Sequence, residues 1–231
     1  MKRIVISIAV AGCFLASSAY AQTFLGFRLL DLNGHNVRWP SDGEGNVTVT
    51  YAFAIKAFTT VGARNCGDMV SLGGLLAKSK ISPAEFQSEV REAFDMWEKV
   101  AKIKFKEIED FRSAGIVIGA QAHPEGHAFA NVTEKLADGM TREIEKSLIC
   151  FNPDKPWKIG FDGNLDIYDV RFTTAHEIGH AIGLDHPDQN SQLMSFRYQE
   201  QFRTLQAGDV MGVTKIYGAR AVSPPNGTTT R

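Results

Sequence analysis

The run TTAHEIGHAIGLDHP, Thr173 to Pro187, constrains this chain more than any other stretch. It holds three of the six histidines, His176, His180 and His186, beside one carboxylate, Glu177, among small and apolar residues. Residues four apart on a helix share a face, with Cβ atoms about 6 Å apart. His176 and His180 can therefore aim their imidazoles at one point. Glu177 lies about 100° further round the axis, where it reaches a water at that point without taking a ligand's place. Gly183 can adopt the left-handed conformation that ends a helix, and the returning chain can then deliver His186. Three neutral imidazoles suit zinc and leave a fourth position for water. Zinc lowers the pKa of such a water to about 7. Glu177 would take the water's proton as it attacks a peptide carbonyl, and would pass the proton to the leaving amine. Two other readings stand beside this one: histidines satisfied by their surroundings, and a structural zinc, which four protein ligands would usually close.

The chain has 231 residues, 44% of them hydrophobic, and a formal net charge of -1. That suits one domain with tails and offers no charge block for nucleic acid or an anionic membrane. Lys2 and Arg3 precede an apolar run, Ile4 to Leu15, and the small-residue site Ala19 to Ala21. Residues 1–21 read as a signal peptide, too short for a transmembrane span. VAGC, ending at Cys13, offers a second route, cleavage before Cys13 and lipid attachment there. The expected location is secreted, extracellular or periplasmic, with a lipid anchor through Cys13 as the alternative. In an oxidising compartment Cys66 and Cys150 suggest one disulfide. Two buried free thiols are the other outcome.

The expected organisation is an N-terminal arm (22–36), a catalytic domain (37–220) and a flexible tail (221–231). VTVTYAFAI, from Val47, alternates as a strand does. A loop follows, with Cys66 and SLGG. Ser82, Pro83 and Glu85 form a capping box with proline at the first helical position. Phe86, Val90, Ala93, Phe94, Trp97 and Val100 make the apolar stripe of that helix. IKFKEI, AGIVIGA, HAFANV and SLICFN read as strands, the third as an edge. A helix from about Asp169 to Leu184 carries the histidines. LQAGDVMGVTKIYG reads as a last helix.

These residues together resemble a known family. HEIGHAIGLDH is similar to the metzincin signature, and its LDH ending most resembles the matrixins, the matrix-metalloprotease-like branch. SQLMSF resembles the matrixin Met-turn, with Met194 eight residues after His186. MSFRY parallels the family's M-x-P-x-Y, with Phe196 in the proline's place. EGHAFA resembles the strand that lies along the substrate, and LQAGDVMGVTKIYG the closing helix. The resemblance covers roughly residues 37–218. It implies an α+β, metzincin-like zincin catalytic domain, with a twisted, mostly parallel sheet, an active-site helix and a C-terminal helix. It implies one catalytic Zn²⁺ on His176, His180 and His186, Glu177 as general base and acid, and Met194 as an apolar floor rather than a ligand. His127, Ala128 and Phe129 would lie along a polypeptide substrate, and Tyr198 on a pocket wall. The function so implied is a secreted, monomeric zinc endopeptidase. The alternative is an exported zinc-containing binding protein without turnover.

The chain also departs from the family. Matrixins commonly hold a second, structural zinc on three histidines and an aspartate. Here His127 and His123 fit two positions, Cys150 stands where a third histidine would be, and no matching aspartate is evident. DGNLD, Asp162 to Asp166, has oxygen spacing suited to Ca²⁺ but lacks the EF-hand glycine.

Overall fold

The structure is a computed structural model that describes residues 26–135 and 141–221. The expected leader, with Cys13, and residues 222–231 of the expected tail lie outside the described residues.

The elements in chain order are β1 (Arg28–Leu29), β2 (Asp31–Leu32), β3 (His35–Arg38), β4 (Val47–Phe53), β5 (Phe58–Thr59), β6 (Asp68–Val70), α1 (Gly73–Ser79), α2 (Pro83–Glu98), β7 (Ile103–Glu107), β8 (Ile116–Gln121), β9 (Ala128–Lys135), β10 (Thr141–Phe151), β11 (Trp157–Lys158), β12 (Tyr168–Asp169), α3 (Val170–Ala181), β13 (Leu184–Asp185) and α4 (Ala207–Tyr217). The main sheet runs β2-β3-β10-β8-β4-β7. Its β3–β10, β10–β8, β8–β4 and β4–β7 ladders are parallel. β9 pairs antiparallel with β10, from Lys135↔Glu143 to Ala128↔Phe151, and its other edge carries no strand among the described residues. The expected α+β class and mostly parallel sheet are both present.

β8 is buried along its whole length. Its continuous apolar run, Ile116 to Ile118, is what a parallel strand covered on both faces requires. The α2 stripe supplies one cover: Phe86, Val90, Ala93, Phe94 and Trp97 are all buried. The Ser82 hydroxyl accepts from Glu85 N–H (3.2 Å), and the Glu85 carboxylate accepts from Ser82 N–H (2.9 Å), completing the capping box. The Trp97 indole donates to the Ala175 carbonyl (3.0 Å), which ties α2 to α3. On the opposite face a smaller apolar cluster gathers Ala52, Met69, Phe111, Val117 and Leu148 around a disulfide between Cys66 and Cys150. Both cysteines are fully buried, with Cα atoms 5.7 Å apart.

Three features go beyond the sequence expectations. The SLGG stretch opens α1, whose Leu75 is fully buried. β10 begins at Thr141, six residues before the expected strand, because β3 and β9 both extend along it. The described residues of the expected arm pack on the sheet: β2 and β3 form a hairpin on it, β1 pairs with β13, and Leu30 N–H donates to the Gly183 carbonyl (2.8 Å).

Candidate active site

The Asp169 side chain caps α3 by accepting from Phe172 N–H (2.8 Å). Its carboxylate is completely buried and also meets the Arg203 guanidinium at 2.9 and 2.7 Å. Arg203 and Arg171 both reach Glu89 on α2. Two guanidiniums and two carboxylates thus fix the start of the helix, where breaking one partner would strand buried charge. The helix ends as Gly183 takes φ +101°. A Cβ there would strike the Val37 carbonyl, so the residue must be glycine for conformation and for space. The reversal into β13 carries His186 back over the helix.

The three imidazoles converge as the motif predicts. His186 Nε2 lies 3.0 Å from His176 Nε2 and 3.1 Å from His180 Nε2. Two nitrogens held at 2.0–2.1 Å by one tetrahedral zinc stand about 3.3 Å apart, so this spacing fits the ion. The outer nitrogens are spoken for: His176 Nδ1 donates to the Leu193 carbonyl and His180 Nδ1 to the Leu184 carbonyl, each at 2.9 Å. Those bonds fix the tautomers that turn lone pairs inward, the usual outer arrangement of metal-binding histidines. Burial, then the neighbouring imidazoles, holds His176 well below the ordinary range and His180 down to about 4, so both stay neutral. No other group of three such ligands occurs among the described residues.

Glu177 is buried beside this cluster, and burial pushes its carboxyl up to about 8, partly opposed by the Ala130 backbone N–H of β9. Beneath lies Met194, buried against α3 at Gly179. Its turn hangs from Asp209 in the first turn of α4, whose carboxylate accepts from Leu193 N–H (2.8 Å), Met194 N–H (3.0 Å) and Gln206 N–H (2.7 Å).

One cleft joins these groups. His176, Glu177, His180 and His186 line it together with residues 126–134, and Tyr168, Phe172 and Tyr198 stand at the end near His127. His127 precedes β9 and stacks on Tyr168 (3.8 Å, 4°), which stacks in turn on Tyr198 (4.1 Å, 14°). Ala128 and Phe129 also line the cleft, as residues of its β9 wall.

The second-zinc positions are not assembled. Cys150 is spent in the disulfide, and His123, exposed, faces Asp68 at 3.6 Å rather than joining His127. In the DGNLD loop, Lys158 Nζ sits among the Asp162 carboxylate, the Asn164 carbonyl (2.7 Å) and the Glu200 carboxylate.

Sequence reasoning passed over Tyr168, Glu200, Arg203 and Asp209. The tyrosine could have been suspected from its place just before the α3 cap. Arg203 acts only on partners far along the chain; Glu200 and Asp209 each have one near partner, Tyr198 and Gln206, but the contacts that tie them to the site are distant in sequence.

The sequence profile of the matrixin family matches residues 75–218. That is well over half of the chain, and the chain belongs to the matrixins. Metalloendoproteinase 1-MMP of Arabidopsis thaliana is 31% identical over 145 residues, covering 60% of this chain and 39% of that protein. The hatching enzyme of Paracentrotus lividus is 30% identical over 174 residues, 73% of this chain and 28% of the relative. Matrix metalloproteinase-16 of Homo sapiens is 27% identical over 164 residues, 63% and 26% respectively. The match thus spans between about a quarter and two fifths of these relatives' length.

Proposed function

We propose that this chain is an exported zinc endopeptidase that hydrolyses an extended polypeptide in the cleft along β9. The observation that carries the reading is the meeting of three inward imidazole lone pairs beside a buried carboxylate, next to a strand whose outer edge no strand covers among the described residues. His176, His180 and His186 would hold one zinc, with the first two oriented by the Leu193 and Leu184 carbonyls. When bound there, the ion supplies Lewis-acid activation of water at neutral pH. Glu177 accepts the proton at its carboxylate and returns it to the departing amine. Met194 has no ligand role; it fills the space under the helix.

β9 supplies the backbone pairing. An extended peptide adds to such an edge through main-chain hydrogen bonds, and pockets then read its side chains. β9 runs from the Tyr168 and Tyr198 end, past Ala130 beside Glu177, toward Lys135. A substrate strand added antiparallel runs the other way. Its residues after the scissile bond therefore lie toward His127, Tyr168 and Tyr198, where the aromatic rings form the wall.

Export is supported by the basic and apolar N-terminal pattern and by the buried disulfide, which belongs in an oxidising compartment. Release after Ala21 and tethering through Cys13 are the two forms this export takes. No described helix is long and apolar enough to cross a membrane. A monomer suits a domain that carries every group of the site on one chain. The test is a quenched-peptide library with zinc-loaded protein, with and without a chelator. Cleavage that stops with the chelator and returns with zinc supports the reading; no cleavage of any peptide by zinc-loaded protein overturns it.

A further inference from the structure

We propose that Lys158 and Glu200 are positioning residues that set the side-chain preference of the cleft by holding Tyr198. The inference rests on the endopeptidase reading and adds a determinant to it.

Glu200 is the hub. Its carboxylate side chain is only 6% exposed, and it collects donors on both oxygens. Oε2 accepts from Asp162 N–H (3.0 Å) and Gly163 N–H (2.6 Å). Oε1 accepts from the Tyr198 hydroxyl (2.8 Å) and faces Lys158 Nζ at 2.5 Å. The Lys158 side chain is itself 12% exposed, with Asp162 and the Asn164 carbonyl as its other partners. Lys158 therefore closes the 158–164 loop from within and neutralises Glu200 at the same time. A carboxylate this buried needs that countercharge.

The hub reaches the cleft through one hydroxyl. Tyr198 donates to Glu200 and accepts from Asp169 N–H (3.0 Å) at the start of α3. Its ring is fixed on three sides, stacked on Tyr168 and edge-on to Phe172 (5.1 Å) and Phe161 (6.5 Å). Tyr198, Tyr168 and Phe172 line the cleft beside the histidines, whereas Lys158 and Glu200 do not. The pair thus acts through Tyr198. Withdrawing the acceptor or its countercharge frees the ring to shift, and the pocket loses its shape for a large side chain more than for a small one.

The experiment uses the zinc-loaded mature chain and two peptides that differ only in the residue after the scissile bond, leucine or alanine. Glu200→Gln and Lys158→Met should lower the leucine-to-alanine ratio of kcat/KM by about fivefold, mainly through KM, within the range a hydrophobic pocket can discriminate. Lys158→Arg, which keeps the charge, should restore most of the ratio. If Glu200→Gln does not fold, Tyr198→Phe removes the same hydrogen bond and should lower the ratio alike. A parent-like ratio in Lys158→Met and in whichever of Glu200→Gln or Tyr198→Phe is tested, even with a lowered melting temperature, overturns the inference and leaves the pair merely structural. If the parent cleaves neither these peptides nor the library, it is the endopeptidase reading that fails, and the two failures are told apart.

Discussion

Met194 lies against Gly179, so close that a Cβ on the glycine would enter the radius of the methionine sulfur. The two residues come from the turn and from the helix turn between His176 and His180. The floor of the site therefore depends on a missing side chain. Gly179→Ala should cost about 1–3 kcal/mol of stability through overpacking. The same shift should misalign His176 and His180. Thermal unfolding and zinc content after dialysis would register both effects. An alanine variant with parental stability and zinc retention would show that the floor yields freely.

Glu177→Ala should keep zinc while losing peptide hydrolysis by about 10²–10⁴-fold, the range for removing a general base. Metal analysis and kcat on one good peptide make the comparison. Parental turnover in that variant would remove Glu177 from the chemistry.

His186→Ala should weaken zinc binding sharply while α3 stays folded, since His186 arrives after the Gly183 reversal and is not part of the helix. Dialysis against a mild chelator, followed by metal analysis and circular dichroism, reads the two properties separately. Unchanged zinc content would contradict the three-ligand set.

The disulfide closes a sequence separation of 84 residues. Loop entropy for a span of that length corresponds to about 4.5 kcal/mol, and native bridges in small secreted domains are worth about 2–5. Cys66→Ser with Cys150→Ser should lower the urea midpoint accordingly. Arg64 N–H donates to Asn131 on β9 (2.7 Å), so the loop holding Cys66 also touches the substrate strand. A double variant as stable as the parent would reduce the bridge to an ornament.

His127 is held below the ordinary histidine range, first by burial and then by the Lys155 charge. The unfolded chain therefore binds its proton more readily than the folded one. Its contribution to stability is complete above pH about 6.5 and is lost as pH falls through that value toward the lower folded pKa. Substitution by phenylalanine, which preserves a ring to stack on Tyr168, should flatten the acid limb of unfolding free energy below about pH 6.5. An acid limb as steep as the parent's would show that His127 contributes nothing to it.

The legible parts of this chain were those with short-range rules. Ser82, Pro83 and Glu85 announce a helix start within four residues, and His176 to His186 encode a helix, its stop and its reversal. β8 could be read because burial on both faces leaves a continuous apolar run. α1 was not legible, since Gly73 and Gly74 look like a turn and only the tertiary burial of Leu75 makes that segment helical. The length of β10 depends on its pairing with β9 just before it and with β3, which is far away along the chain. The Glu200 hub and the Asp209 anchor escaped for the same reason: each serves backbone groups that fold topology brings near. The DGNLD spacing did not reveal that a lysine ammonium four residues upstream sits among the oxygens it gathers.

β9 has one flank paired with β10 and no strand on the other among the described residues. When no peptide is aligned there, the amides and carbonyls on that flank turn to water, apart from the Ala130 N–H that meets the Glu177 carboxylate. That bare rail cannot distinguish a meal from a sibling. A frayed extended stretch of another copy meets the same docking rule, so at high concentration partly unfolded molecules become competitors of the enzyme they came from.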